Sequence, residues 1–343
     1  MIDSAVGPLI VGTGALHRPA VGPDRGTFPV GAPARGEGYF PCMDLSVRAP
    51  TLEWRGPPPY LFARMPEEAA DAIAAIAREA SYGWGCIPVT ARIGDTEFTT
   101  ALSSAPEVLD VPGLPPVNND HVLAPDGSAV YASGNDFHVW EVPLGSAPDG
   151  GAAAGAPRRI TPEDGGLHFL HGVSPDGTTL AYVHLRLEGE DWWAAATIRL
   201  IGVDGTGDRA VTTHPGPADG SEFTPDGEWI LLNTEQFSEV PGHAQIARVR
   251  PDGTELAQLT RDERVNWFPH PSPDGKVTVY LSFPPGTTGH PADLEVELRL
   301  VEGEAWDAPR TLVTLFGGQG TLNVPGWATD GSAFGFVDYP LDG

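Results

Sequence analysis

The side chains with chemistry in this sequence gather in short words that sit directly before a turn. The words are "NNDH" (Asn118, Asn119, Asp120, His121), "HFLH" (His168, His171), "ADGSE" (Asp219, Glu222), "NWFPH" (Asn266, Trp267, His270) and "QGTLN" (Gln319, Asn323). Imidazole nitrogens and an amide oxygen can hold a divalent transition ion. Paired carboxylates can serve as general acid and base, as in glycoside hydrolysis. Carboxylates and amides beside an indole also suit a polyol. A single histidine or asparagine before a turn is more often a cap or turn partner. The argument therefore rests on the recurrence of such words in one setting.

That setting is a repeat. The words run into Asp-Gly turns at Asp126, Asp176, Asp226, Asp274 and Asp330, which lie about 50, 50, 48 and 56 residues apart by their numbers. Proline before the aspartate presets the backbone, and glycine after it accepts positive φ. The turn aspartates are read as structural. Short apolar runs such as "TLAYV" and "WILLN" follow, then further strand-like segments with a second turn. A unit of four antiparallel strands repeated at this period is a β-propeller blade. Inner strands are expected to end at Pro125, Pro175, Pro225, Pro273 and Thr329.

In such a fold the words before the turns fall on inner strands, so polar groups from several blades converge on one axis. That is the usual form of a small-ligand site. Two functional readings stay open. In one, His121, His171 and His270, with Gln319, take Mn²⁺ or a similar ion. In the other, Asn118, Asn119, Asp120, His121, His171, Asp219, Glu222, Trp267, His270, Gln319 and Asn323 bind a small polar, carbohydrate-related ligand. Asp120, Asp219 and Glu222 are then the candidate catalytic carboxylates of a lyase or hydrolase. A rival class is a non-catalytic protein-interaction scaffold, which uses the propeller faces and needs no polar channel. Strict alternation along the strand sends Trp267 between blades and His270 to the axis, within reach of His171 and His121. His138, His184, His214 and His243 fall outside the recurrent position and receive no role. Arg299 is read as a blade-bridging ion-pair partner.

Composition narrows the classes. The chain has 343 residues with 43 Gly and 36 Pro, as turn-rich all-β proteins require. Its net charge of −26 argues against nucleic acid and anionic membrane as partners. Cys42 and Cys86 are the only cysteines, so no disulfide framework is implied. The apolar stretch from Leu9 to Leu16 follows Asp3 rather than a basic region, so neither a signal peptide nor a membrane span is read there. A cytoplasmic protein is expected.

Residues 1–42 read as a disordered, Gly- and Pro-rich extension, with Met43 a candidate start. Residues 43–104 read as a partial α+β unit. "TLEWRGPPPYLFARM" places strands around a Pro-rich bend, "PEEAADAIAAIAREA" is a helix over 66–80, and "CIPVTARIGDTEFTTAL" is a hairpin turning at Gly94-Asp95. In "TLEWRGPPPYLFARMPEEAADAI" and "YGWGCIPVTARIGDTEFTTAL" this segment resembles the family named domain of unknown function 1905. The resemblance implies a small α+β fold and no activity, and the basic C-terminal part of that family is missing here.

From about residue 105 the sequence resembles TolB-like propellers built from WD40-like PD40 repeats, and within them a bacterial subgroup labelled biopolymer-transporter-like. The words are "NNDHVLAPDG", "HGVSPDGTTLAYV", "DGSEFTPDGEWILLN", "NWFPHPSPDG", "GHPADLEVELRL" and "GGQGTLNVPGWATDGSAFGFVDY". The resemblance implies a mainly β propeller with five repeats visible. A further first blade is truncated, because "APEVLDVPG" supplies only its last strand. Oligogalacturonate lyases are propellers that hold a divalent metal with three histidines and a glutamine, a ligand set similar in type to the one above.

Overall fold

The structure is a computed structural model. It describes residues 27–31, 45–48, 51–53, 61–63, 86–93 and 96–103, and residues 109–339 apart from 147–151, 187–192, 214–215 and 332. The helix expected over 66–80 lies outside the described residues. The chain divides into two units at about residue 108.

The N-terminal unit contains β1 (Thr27–Gly31), β2 (Leu45–Arg48), β3 (Thr51–Glu53), β4 (Leu61–Ala63), β5 (Cys86–Ile93) and β6 (Thr96–Ser103). The expected hairpin is present: β5 and β6 pair antiparallel with Ile93 opposite Thr96, which leaves Gly94-Asp95 as the turn. β3 and β4 pair on either side of the Pro-rich bend. One difference is β1, expected within a flexible extension, which lies between β2 and β5 in a sheet of order β2-β1-β5-β6. Phe28 and Val30 are apolar at strand spacing, but the Gly- and Pro-rich surroundings hide so short a signal.

The second unit is a propeller of four antiparallel blades. Blade one holds β7 (Val117–Leu123), β8 (Ala129–Gly134) and β9 (Val139–Ser146), with both β10 (Ala152–Ala154) and β11 (Arg158–Arg159) on β9. Blade two holds β12 (Leu167–Val173), β13 (Thr179–Leu185), β14 (Thr197–Gly202) and β15 (Arg209–Ala210). Blade three holds β16 (Ala218–Phe223), β17 (Ile230–Thr234), β18 (Gln245–Val249) and β19 (Ala257–Gln258). Blade four holds β20 (Val265–Pro271), β21 (Val277–Phe283), β22 (Leu294–Glu302) and β23 (Arg310–Gly317). Trp193–Ala195 form a single 3₁₀ turn. No helix among the described residues is long and apolar enough to cross a membrane.

The turns that set the repeat behave as local chemistry dictates. Gly127, Gly177, Gly227 and Gly275 take φ of 73°, 72°, 71° and 68°. Asp126, Asp176, Asp226 and Asp274 each accept the backbone N–H two residues on, as Asp176 does from Thr178 at 3.0 Å. Ser174, Thr224 and Ser272 add hydroxyl bonds to Asp176, Asp226 and Asp274 at 2.6, 2.6 and 2.8 Å. The fifth word departs from expectation. Gly331 makes the same turn, with φ of 71°, but only an isolated bridge, Trp327 to Phe334, flanks it. Gly318 (φ 134°) and Gly320 (φ 89°), followed by Pro325, interrupt any strand. The five repeats are thus four blades and one irregular segment.

Apolar side chains bury between neighbouring blades. Val122, Tyr131 and Val139 of blade one meet Leu170, Leu180 and Tyr182 of blade two. Val183, Ile198 and Leu200 meet Ile230, Leu232 and Val249 across the next interface. Leu231 and Ile246 meet Tyr280 and Trp306 across the last. Middle strands are buried on both faces, which is why "WILLN" and "TLAYV" read as continuous apolar runs rather than alternating ones.

Candidate functional site

All four inner strands break register at the same place, just before the turn. The breaks fall between Val117 and His121, Leu170 and Gly172, Asp219 and Glu222, and Trp267 and His270. A bulge inserts residues that the partner strand does not match and re-aims side chains. Gly220 and Phe268 carry positive φ there, 61° and 53°. For a bulky residue such as Phe268 that conformation is an outlier. It is held by the Phe268 N–H, which donates to Asn233 Oδ1 at 3.1 Å. Close approach of the strands also selects glycine at 172, where a Cβ would stand 2.7 Å from the Ser221 carbonyl oxygen.

The bulges bring charged groups of successive blades together. His171 Nε2 of blade two lies 2.8 Å from Asp219 Oδ1 of blade three. His270 Nδ1 of blade four bonds Glu222 Oε2 of blade three, and His270 Nε2 donates to the Leu322 carbonyl at 3.0 Å. A carbonyl only accepts, so Nε2 carries a proton and a further proton is shared between Nδ1 and Glu222. Asp120 of blade one joins through the charges of His171 and Asp219, and Asn118 Nδ2 donates to its Oδ2 at 3.0 Å. The irregular segment closes over this cluster, where Trp327 Nε1 donates to the His270 carbonyl at 3.0 Å.

The electrostatics follow from burial and pairing. Burial works against the His171 cation, but the charge and hydrogen bond of Asp219, with Asp120 assisting, push the imidazole up to about 9. Burial opposes the Asp219 carboxylate, yet His171 holds it below the usual carboxylate range. Asp120 is pushed up to about 6, chiefly by burial, with Asp219 adding and His171 opposing. Burial also raises Glu222, against the pull of His270 and His171. His171 and Asp219 form an ion pair, and Glu222 and His270 share a proton. The cluster's net charge is therefore zero or negative.

Some of the residues singled out by the sequence lie together and others do not. Asn118, Asp120, His171, Asp219, Glu222 and His270 are brought together. Asn323 is buried with its backbone beside His171, but its Oδ1 accepts the Gly320 N–H at 2.9 Å within its own loop. Gln319 sits beside His290. Asn119 is exposed, and only its carbonyl takes part, 2.9 Å from His121 Nδ1. The expected metal set is not assembled: the ligand atoms of His121, His171 and His270 do not come within 4.8 Å of one another. Both nitrogens of His270 already have protein partners. Trp267 is not a ligand platform either. It has no exposed surface, stacks on Trp193 at 5.9 Å and meets His290 edge-on at 4.4 Å. Phe268, which alternation places on the same side of the strand as His270, lies against His171 with ring centroids 5.7 Å apart.

Two sets of residues escaped the sequence reading. His290 sits in the loop before β22 and reaches the cluster through Phe268 and Asp219. His138 and His184, given no role, flank His168, with ring centroids 5.2 and 5.1 Å from it. The signal in the sequence is the four-residue spacing of Asp164 and His168. Arg299 of β22 donates to Asp262 Oδ2 at 2.6 Å, in the segment that joins blade three to blade four.

Four bulged inner strands around a polar axis define a TolB-like β-propeller, and comparison with known proteins agrees. A relative from Agrobacterium fabrum, itself uncharacterized, is 35% identical over 235 residues, covering 68% of this chain and 74% of its own. A solved structure described as a putative TolB from Agrobacterium tumefaciens aligns at 31% identity and a TM-score of 0.61, over 74% of this chain and 87% of that one. This chain belongs to that TolB-like propeller family. Residues 48–109 match the family described as Domain of unknown function (DUF1905). A solved oligogalacturonate lyase in complex with manganese aligns at 13% identity and a TM-score of 0.42, over 67% of this chain and 59% of that one. So slight a likeness brings neither its metal nor its substrate here.

Proposed function

We propose that this propeller binds a small, uncharged or cationic polar ligand, of carbohydrate type, where its inner strands end. The supporting observation is the convergence of Asp120, His171, Asp219, Glu222 and His270 from four blades into one coupled network. A purely structural channel of small apolar residues would avoid the cost of burying them. Asn118, His121, Glu222 and Gln319, each partly exposed, are the groups a ligand would meet. Carboxylates and amides there accept and donate to hydroxyl groups. The neutral-to-negative balance favours polyols and amino sugars and repels uronates. The strained Phe268 beside His171 fits a functional site, where such conformations collect. Asp120 and Glu222, both raised, are the groups able to exchange protons with a bound substrate if lyase or hydrolase chemistry occurs.

The scaffold reading has its own support in Phe237 and Val240, which are 40% and 61% exposed on the loop between β17 and β18. Titration calorimetry with neutral pyranoses, amino sugars and uronates separates the two. The ligand reading expects binding of the first two classes, weakened more than about tenfold, or 1.4 kcal/mol, in His171→Gln. Uronates should bind more weakly still. No heat from any class at millimolar concentration would leave the scaffold reading standing.

A further inference from the structure

We propose that Asp164, His168 and His184 bind one divalent transition-metal ion of the Zn²⁺ type, at a site separate from the axial network. His168 on β12 and His184 on β13 are direct cross-strand partners. Asp164 comes from the loop before β12. The three ligand atoms lie within 4.8 Å of one another. His184 Nε2 is 3.0 Å from Asp164 Oδ2, and His168 Nε2 is 3.4 Å from Asp164 Oδ1. Ligands about 2.0–2.1 Å from a tetrahedral ion stand roughly 3.3 Å apart, so these separations suit one.

The state of His168 points to a cation. Its side chain has no exposed surface. Nδ1 lies 2.8 Å from the Phe137 carbonyl, which can only accept, so Nδ1 carries the proton. With Nδ1 so committed, Nε2 is the nitrogen that can offer a lone pair. That nitrogen has no hydrogen-bond partner and faces a carboxylate oxygen, itself an acceptor. Two acceptors facing each other repel unless a cation sits between them. A ring N–H donated to a carbonyl is also the arrangement that orients a metal-bound histidine.

The loop is shaped for the same purpose. The Gly166 N–H donates to Asp164 Oδ1 at 2.9 Å, and a Cβ at 166 would stand 2.2 Å from His184 Nε2. Two neutral nitrogens and one carboxylate select Zn²⁺, Co²⁺ or Ni²⁺ over Mg²⁺ and Ca²⁺, which take oxygen ligands. His138 stacks on the outer face of His168 and holds its ring plane.

The test uses untagged full-length protein, stripped with a chelator and then equilibrated with Zn²⁺. Bound metal is counted by mass spectrometry, and Co²⁺ uptake is followed by visible absorption. About one ion per chain is expected. Asp164→Asn, whose side chain is partly exposed, and His184→Gln should weaken binding by more than about tenfold, the loss that even an outer-shell change can bring. Gly166→Ala should do the same by crowding Nε2. His171→Gln should keep its metal. Circular dichroism confirms that each variant is folded, and added Zn²⁺ should raise the melting temperature of the wild type but not of Asp164→Asn. Failure of the wild type to take up Zn²⁺ or Co²⁺ overturns the proposal. So does uptake that persists unchanged in Asp164→Asn and His184→Gln.

Discussion

Two polar clusters in this propeller set their buried histidines against different partners. At the axis, His270 has a partner for each ring nitrogen and His171 pairs with a carboxylate of the next blade. Between β12 and β13, His168 commits one nitrogen to a backbone carbonyl and leaves the other facing Asp164. The first arrangement fastens blades together and fixes protonation, so its binding capacity lies at its rim. The second keeps a lone pair in reserve. A buried histidine therefore signals binding by what its unpaired nitrogen faces: His171 Nδ1 also lacks a hydrogen-bond partner but lies beside the Asn323 backbone, whereas His168 Nε2 faces a carboxylate oxygen.

Breaking the axial pairing should have the largest effect. His270→Leu leaves Glu222 buried without its partner and also abandons the Leu322 carbonyl. Loss of one partner of a buried pair costs about 3–5 kcal/mol. Denaturant unfolding should show this, and adding Glu222→Leu should restore part of it. A single-variant loss below about 1 kcal/mol would show that the pair is not the fastening described here.

Asp120 sharpens the comparison through pH. Its carboxyl is pushed up from 3.8 to about 6, so the folded state holds the proton more tightly than the unfolded chain. The wild type therefore loses stability as pH rises from about 4 to 6, by an amount on the order of 3 kcal/mol, and carries the full penalty above that. Asn cannot titrate. The melting temperature of Asp120→Asn, relative to wild type, should climb across that window and level off above it. Parallel curves from pH 4 to 8 would contradict the placement of Asp120.

A steric change should cost less. Gly172→Ala puts a Cβ 2.7 Å from the Ser221 carbonyl oxygen and pushes β12 away from β16. Overpacking of this kind costs roughly 1–3 kcal/mol. It should weaken polyol binding at the axis while leaving Zn²⁺ uptake at Asp164 intact, which separates the two clusters in one variant.

The blades were legible because Pro-Asp-Gly chemistry is local: the aspartate bonds its own neighbours and glycine supplies the positive φ. The apolar runs after each turn were legible for the same reason. The bulges were not, because they are set by contacts between blades, such as Asn233 holding the Phe268 backbone. Alternation alone sends Trp267 between blades, where it is buried, so only its place in the polar word, and not its face of the strand, suggests a ligand contact. The charged pairs could be listed from the sequence as separate words, but not matched as His171 with Asp219 and Glu222 with His270. The fifth word carried the right turn and the wrong strand, since Gly318, Gly320 and Pro325 interrupt the chain before it. His184 faces His168 only through the register of β12 and β13, which no local word encodes.

The most direct test of the axial network is an NMR titration of the histidine side chains, with His171 assigned through His171→Gln. The network predicts that His171 remains an imidazolium through neutral pH and titrates near 9, because Asp219 holds its proton. In Asp219→Asn its titration should fall well below that value. A His171 that titrates near the ordinary 6.5 in the wild type, and is unmoved by Asp219→Asn, would contradict the convergence of blades two and three on which the proposed site rests.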